Sequence, residues 1–272
     1  TATVSDNDMS TLDGITESGH ALTISVTDAS VAASNLNTLD GKTTVAVAVT
    51  STTITGTAAD VNTAYAANTA GTISGLGNEA VTISDTTLAA STLNTLDGNT
   101  SGTINASTVT TLTGTASAAN TALSSEGISN LGNEAVTLTD TTLAASVLNT
   151  LDGNTTGVVN AGTVTTLTGS YTDLNAAFTS NTVGTVSGLG NEAITASGSL
   201  TVAQVNTLAG YTTGVLTATV SDNDMSTLDG ITESGNALTI SVTDASVAAS
   251  NLNTLNGKTT VAVGVTSTTI TG

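Results

Sequence analysis

Proline, cysteine and tryptophan are absent from this 272-residue chain, and Lys plus Arg number only 2 against 21 acids. Without Cys there is no disulfide and no thiolate metal site, so cysteine usage leaves the compartment open. The single His is His20, and its counterpart in an internal copy is Asn236. A Ser-His-Asp arrangement would therefore rest on a base that one of two near-identical copies lacks. Two Lys (Lys42, Lys258) and no Arg leave phosphate and nucleotide chemistry without its usual cations. The formal net charge of −19 repels nucleic acid and anionic membranes. No run of 18 apolar residues occurs, so no membrane span is expected. Thr1-Ala2-Thr3-Val4-Ser5 does not read as a signal peptide, and the chain reads as the middle of something longer.

Aromatics make up 1% and charged residues 8%, against roughly 25% charged in an ordinary domain. What fills the chain is Thr, Ala, Ser, Asn and Gly. Low charge and 38% apolar content run against disorder. Small and β-branched residues suit narrow, regular layers, because they lose little rotamer entropy on packing.

Repeats decide the architecture. Residues 1–56 recur as 217–272, with His20, Asp40 and Ala48 replaced by Asn236, Asn256 and Gly264. The chain is thus one continuous array, 1–272, holding one long repeat (1–216) and the start of the next (217–272). Inside it, LNTLDG ends segments at Gly41, Gly98 and Gly153, and LNTLNG does so at Gly257. A second segment type ends in TTITG or TVTTLTG at Gly56, Gly114 and Gly169. These marks predict segments of about 26–31 residues, with one shorter segment at 211–230, eight to the long repeat.

Each segment shares one grammar. In 72–98, Val81 and Ile83 alternate with Thr82, as in a short strand. Asp85 is expected to cap the helix that follows, as are Asp28, Asp140 and Asp244. Ala89, Leu93 and Leu96 form one helical stripe, and Gly98 is expected to supply a left-handed stop. Val61 and Tyr65, and Tyr171, Leu174 and Phe178, are stripes of the other segment type. No such unit buries its own apolar face, so stacking is required. The expected fold is an α/β solenoid of stacked coils, each with one or two short strands and one short helix. Strands stack at about 4.8 Å and helices at about 8–10 Å. This mismatch predicts either curvature or helices displaced to alternate sides.

No catalytic constellation is visible, and no enzyme activity is expected. Acids give the one metal reading: Asp40, Asp97 and Asp152 before the terminal Gly, and Glu79, Glu134 and Glu192 in the GLGNE or NLGNE turn. Stacked, they would form like-charge ladders that calcium could relieve. Ordinary turn and cap chemistry accounts for the same residues, and the counterpart of Asp40 is the neutral Asn256. No other cofactor is implied.

The stretch 136–169, with LNTLDGNTTGVVN and TVTTLTG, together with LNTLDGKTT (36–44), resembles repeats of giant cell-surface proteins of marine cyanobacteria. Some of these are associated with swimming motility or an outer surface layer. The resemblance implies an exported, very long, acidic protein at the cell surface and brings no catalytic residue. The expectation is an extracellular rod, filament or surface-layer element whose partner is itself, through neighbouring repeats or subunits. An adhesin stalk, or a surface holding calcium or cell-surface polysaccharide, is the alternative.

Overall fold

A computed structural model describes residues 1–272. It is an α/β protein of short parallel strands and ten helices. These are α1 (Met9–Leu12), α2 (Ala33–Asp40), α3 (Ala58–Ala70), α4 (Ala90–Asn99), α5 (Ala116–Leu123), α6 (Ala145–Asn154), α7 (Tyr171–Val183), α8 (Val202–Ala209), α9 (Met225–Leu228) and α10 (Ala249–Asn256). Contacts divide the chain into two compact units, Thr1–Val136 and Thr137–Gly272.

In the first unit a five-stranded sheet runs in the order Ile128–Ser129, Ile104–Asn105, Ala80–Ile83, Thr53–Gly56, Ser30–Ala32. Its register pairs Val31 with Ile54, Ile54 with Val81, and Val81 with Ile104. One apolar side chain per strand therefore stacks on its equivalent, and all of these are buried. A three-stranded sheet joins Ser25–Val26, Val47–Val49 and Ile73–Ser74. The second unit repeats the pattern over Thr142–Ala144, Thr166–Gly169, Ala193–Leu200, Leu216–Val220 and Ala237–Thr239. There Leu143, Leu167, Ile194 and Leu216 form the buried row. Parallel pairing follows from the connections: a helix carries the chain across before it returns in the same direction.

The register advances by 20 residues between Ala2 and Leu22 and by 27 between Thr53 and Ala80. The 27-residue step lies within the 26–31 expected and the 20-residue step matches the length of the one shorter segment, whereas steps of 23, from Ser30 to Thr53 and from Val81 to Ile104, fall below that range. The two sequence marks fall at different points of the segment, which made the spacing look longer. Gly41, Gly98 and Gly153 lie at the ends of helices, whereas Gly56, Gly114 and Gly169 end the strand that precedes a helix.

Two further expectations are corrected. Gly98 supplies no left-handed stop: it lies within α4 and its φ is negative, as it is for Gly41, Gly153 and Gly257. Left-handed C-caps occur instead at Gly71 and Gly184, which close the longest helices, α3 and α7. The second correction concerns the caps. Helices α2, α4, α6 and α10 begin at alanines with no side-chain cap, so Asp28, Asp85, Asp140 and Asp244 do not cap the helices that follow them.

Successive helices lie beside one another, α2 on α3, α3 on α4 and α4 on α5 in the first unit, α6 on α7 and α7 on α8 in the second. They are not displaced to alternate sides. Their buried faces are rich in alanine, including Ala33, Ala58, Ala64, Ala90, Ala116 and Ala119, all fully buried. A methyl group in place of a large side chain lets helices approach more closely than the usual packing distance. No helix is long and apolar enough to cross a membrane.

Candidate functional site

The polar chemistry of this protein lies between successive segments. The displaced aspartates are the clearest case. Asp85 Oδ2 accepts from the Ala58 amide at 2.8 Å, at the start of α3 in the preceding segment. Asp28 accepts from Met9 N at 2.9 Å and Asp244 from Met225 N at 2.8 Å. Asp222 does the same for Val202 N, at the start of α8. Each carboxylate satisfies an orphan helix donor one segment back, whereas Asp28, Asp85 and Asp244 were expected to cap the helix ahead.

A row of asparagines ties the helices together. Asn37 Nδ2 donates to the Asp60 carbonyl at 2.9 Å, Asn62 to Thr92 at 3.1 Å and Asn94 to Ala118 at 3.0 Å. In the second unit Asn149 donates to Asp173 at 3.0 Å and Asn206 to Gly230 at 2.8 Å. Every acceptor belongs to the following segment. Sequence reasoning missed these residues. The available signal was an Asn at the edge of an apolar stripe, in LNTL, VNTAY and VNTLAG alike. Asn is a poor helix former, and in mid-helix it needs a partner.

Asp40, Asp97 and Asp152 face hydroxyls of the next segment. Thr72 Oγ1 donates to Asp40 at 3.0 Å, Ser125 Oγ to Asp97 at 2.7 Å, and Ser180 Oγ to Asp152 at 2.8 Å. The acids sit on α2, α4 and α6, and the hydroxyls follow or end the intervening α3, α5 and α7. From α2 to α7 the carboxylates that precede a terminal Gly thus fall at the ends of α2, α4 and α6, and hydroxyl donors take that place at the ends of α3, α5 and α7.

Glu79, Glu134 and Glu192 are buried, 2%, 0% and 0% exposed. Each folds back on its own turn. Glu79 Oε2 accepts from Gly77 N (2.8 Å), Asn78 N (3.2 Å) and the Tyr65 hydroxyl (3.1 Å). Glu134 Oε2 accepts from Gly132 N and Asn133 N, and Glu192 from Gly190 N. A carboxylate that accepts successive backbone amides locks the turn in one shape and recovers part of its lost hydration. Burial pushes the Tyr65 hydroxyl up to about 12, and the carboxylate beside it adds to the shift. Phe178 stands at the corresponding place in α7 and stacks on Tyr211, ring centroids 5.1 Å apart.

The next segment seats on the same turn. Thr100 Oγ1 donates to the Glu79 carbonyl at 2.9 Å, and Thr212 Oγ1 to the Glu192 carbonyl at 2.6 Å. Gly102 and Gly214 lie against those carbonyls, so close that an added methyl would meet the Ala80 or Ala193 nitrogen at 2.8 Å.

The six acids read as a calcium set are therefore separated. Three are enclosed in their own turns and three are held by serine or threonine hydroxyls. No group of three or more His, Asp or Glu side chains comes together. His20 is exposed and bridges Thr43 through its backbone alone. Within each unit, what this chemistry joins is one segment to the next. No protein-family model matches the chain, and no curated protein sequence does either.

Proposed function

We propose that the chain is a stretch of an α/β solenoid with a structural role, built to multiply length. Each segment is one coil. Its strands add to parallel sheets, its helix lies on the previous helix, and its polar groups are bonded one coil away. The observation that carries this reading is the row of inter-segment bonds, in which Asn, Asp and Thr side chains recur at fixed places to serve the neighbour.

An element of this kind stiffens with every coil, because each added strand extends the backbone hydrogen bonding. The near-identity of 1–56 and 217–272 supports repetition of length rather than of a unique site. Location at or beyond the cell surface, as part of a rod, filament or surface layer, rests on the resemblance of the LNTLDG repeats and on the acidic composition. Basic residues are nearly absent, which leaves trypsin-like proteases almost nothing to cut.

Electron microscopy of the longest native form tests this. Residues 1–216 carry eight helices, and eight coils at ~4.8 Å give an axial repeat of roughly 38 Å. A uniform rod with that spacing is the expected image. Separate beads on flexible connections would overturn the continuous solenoid.

A further inference from the structure

Helix α9 is a single turn of four residues, beside the eight residues of α10. The shorter helix leaves a groove of about 460 Å³ at the start of α10. One wall of the groove is the strand Ser246–Ala248, which pairs with Thr269–Thr271 along one edge only. Thr269 N donates to the Ala245 carbonyl, so in this parallel register Val247 turns its backbone groups toward Thr269–Thr271. Ser246 and the Ala248 amide turn theirs the other way, into the groove. Met225 and Val247 form an apolar floor, 5% and 4% exposed. Asp229 and Asp244 stand beside it, and no basic side chain lines it. One Asp244 oxygen accepts from Met225 N at 2.8 Å, which leaves the second to a ligand. The same residues occur in the first copy. Ser30–Ala32 is the end strand of its sheet, and Met9, Asp13 and Asp28 take the corresponding places.

We infer that this groove binds an extended peptide segment with basic side chains, added as one more strand on the open edge of Ser246–Ala248. An unpaired strand edge is a template for another chain, and main-chain bonds hold an added strand whatever its sequence. The acids then select its charge. Three strand residues span about 10 Å, so about three residues of the partner lie in contact. A second copy of this chain does not meet the requirement. It carries two Lys and no Arg against 21 acids, and its net charge of −19 repels its like. The occupant is therefore a different, basic protein. Because Ser30 and Ser246 are the same residue of successive long repeats, the docking point recurs once per repeat. The inference goes beyond the structural role and needs only the segments of α9 and α10, so it stands or falls apart from the continuous rod.

A fluorescent peptide, acetyl-Lys-Val-Lys-Val-Lys-amide, titrated with the full chain tests it by anisotropy. Saturable binding is expected, and its absence would overturn the inference. A peptide with the same three charges but N-methylated at every peptide bond cannot pair as a strand. It is expected to bind at least about tenfold more weakly, the loss of two or more main-chain bonds. Equal affinity would reduce the attraction to surface charge and refute the added strand. The matching peptide with Glu in place of Lys is expected not to bind, and equal affinity for it would refute the charge selection.

A protein variant gives an independent readout. Ala248 and Ala32 have φ of −73° and −76°, where proline fits without strain. Ala32→Pro combined with Ala248→Pro removes one open-edge donor from each copy and leaves every charge in place. The Lys peptide is expected to bind this variant about fivefold more weakly. Unchanged affinity would place the peptide elsewhere on the chain and overturn the inference.

Discussion

Removing the Asp85 carboxylate should weaken α3, not the helix that Asp85 precedes. Asp85 Oδ2 is the acceptor for the Ala58 amide at 2.8 Å, the first donor of α3. The other end of that turn is held by Thr57, whose hydroxyl accepts from Asp60 N at 3.1 Å. Loss of one cap acceptor costs about 1 kcal/mol, within a range of roughly 0.5–2. A cost of about 1 kcal/mol lowers hydrogen-exchange protection about fivefold where exchange proceeds by local opening. In Asp85→Ala that loss should appear at Ala58, Ala59 and Asp60, with Ala90 to Leu93 in α4 unchanged. Asp85→Asn keeps an oxygen acceptor and removes only the charge at the helix start, worth about 0.3–1 kcal/mol. It should therefore show a smaller loss at the same amides. Loss confined to α4 would refute bonding between segments and restore the ordinary cap.

Other substitutions separate the remaining features. Gly98 has open space and a negative φ within α4, so Gly98→Ala should raise stability by roughly 0.5–1 kcal/mol in urea denaturation. Gly102→Ala drives a methyl into the Glu79 carbonyl and the Ala80 nitrogen, and should cost upwards of about 3 kcal/mol or prevent folding. Asn94→Ala removes the bond to Ala118 and should cost about 1 kcal/mol, read by exchange in α4 and α5. Tyr65 has its ionisation raised from 10.0 to about 12 by burial, so the fold favours the neutral phenol. The resulting stability is complete below pH 10 and falls as pH rises toward 12; Tyr65→Phe should flatten that part of the pH profile. Millimolar calcium should leave the melting temperature unchanged within about 1 °C, since no three acids converge; a rise of several degrees would revive a calcium set.

The periodic part of this fold is legible in the sequence. Val81 and Ile83 alternate with polar residues and do form a strand; Leu93 and Leu96 lie one helical turn apart and do face the core. These rows depend on spacing within a dozen residues, which a sequence displays directly. What was hidden depends on the next segment. Asp85 looks like a cap for α4 because nothing local shows that its partner is 27 positions back. Glu79 looks like a surface acid because its GLGNE turn resembles any exposed turn, and its burial beneath Thr100 and Gly102 comes only with stacking. Gly98 was given the usual meaning of a glycine after a helix, although this chain reserves the left-handed stop for Gly71 and Gly184. The asparagines were in plain view and lacked only a reason.

The alternation of carboxylate and hydroxyl along the helices has a consequence for how such a chain can grow. Inserting one segment would set two acids face to face, whereas inserting a pair leaves every acid opposite a donor. Length should therefore change in steps of two. The alternation slips at two places. The segment of α8 carries Ala209 where an Asp would fall, ahead of the Asp229 segment. Where the segments of Asp13 and Asp40 follow directly, Lys42 shares a small hollow with Asp13. Its counterpart one repeat on is Lys258. Lys42 thus stands where two acid-bearing segments follow directly, whereas beside Lys258 the second acid is already replaced by the neutral Asn256.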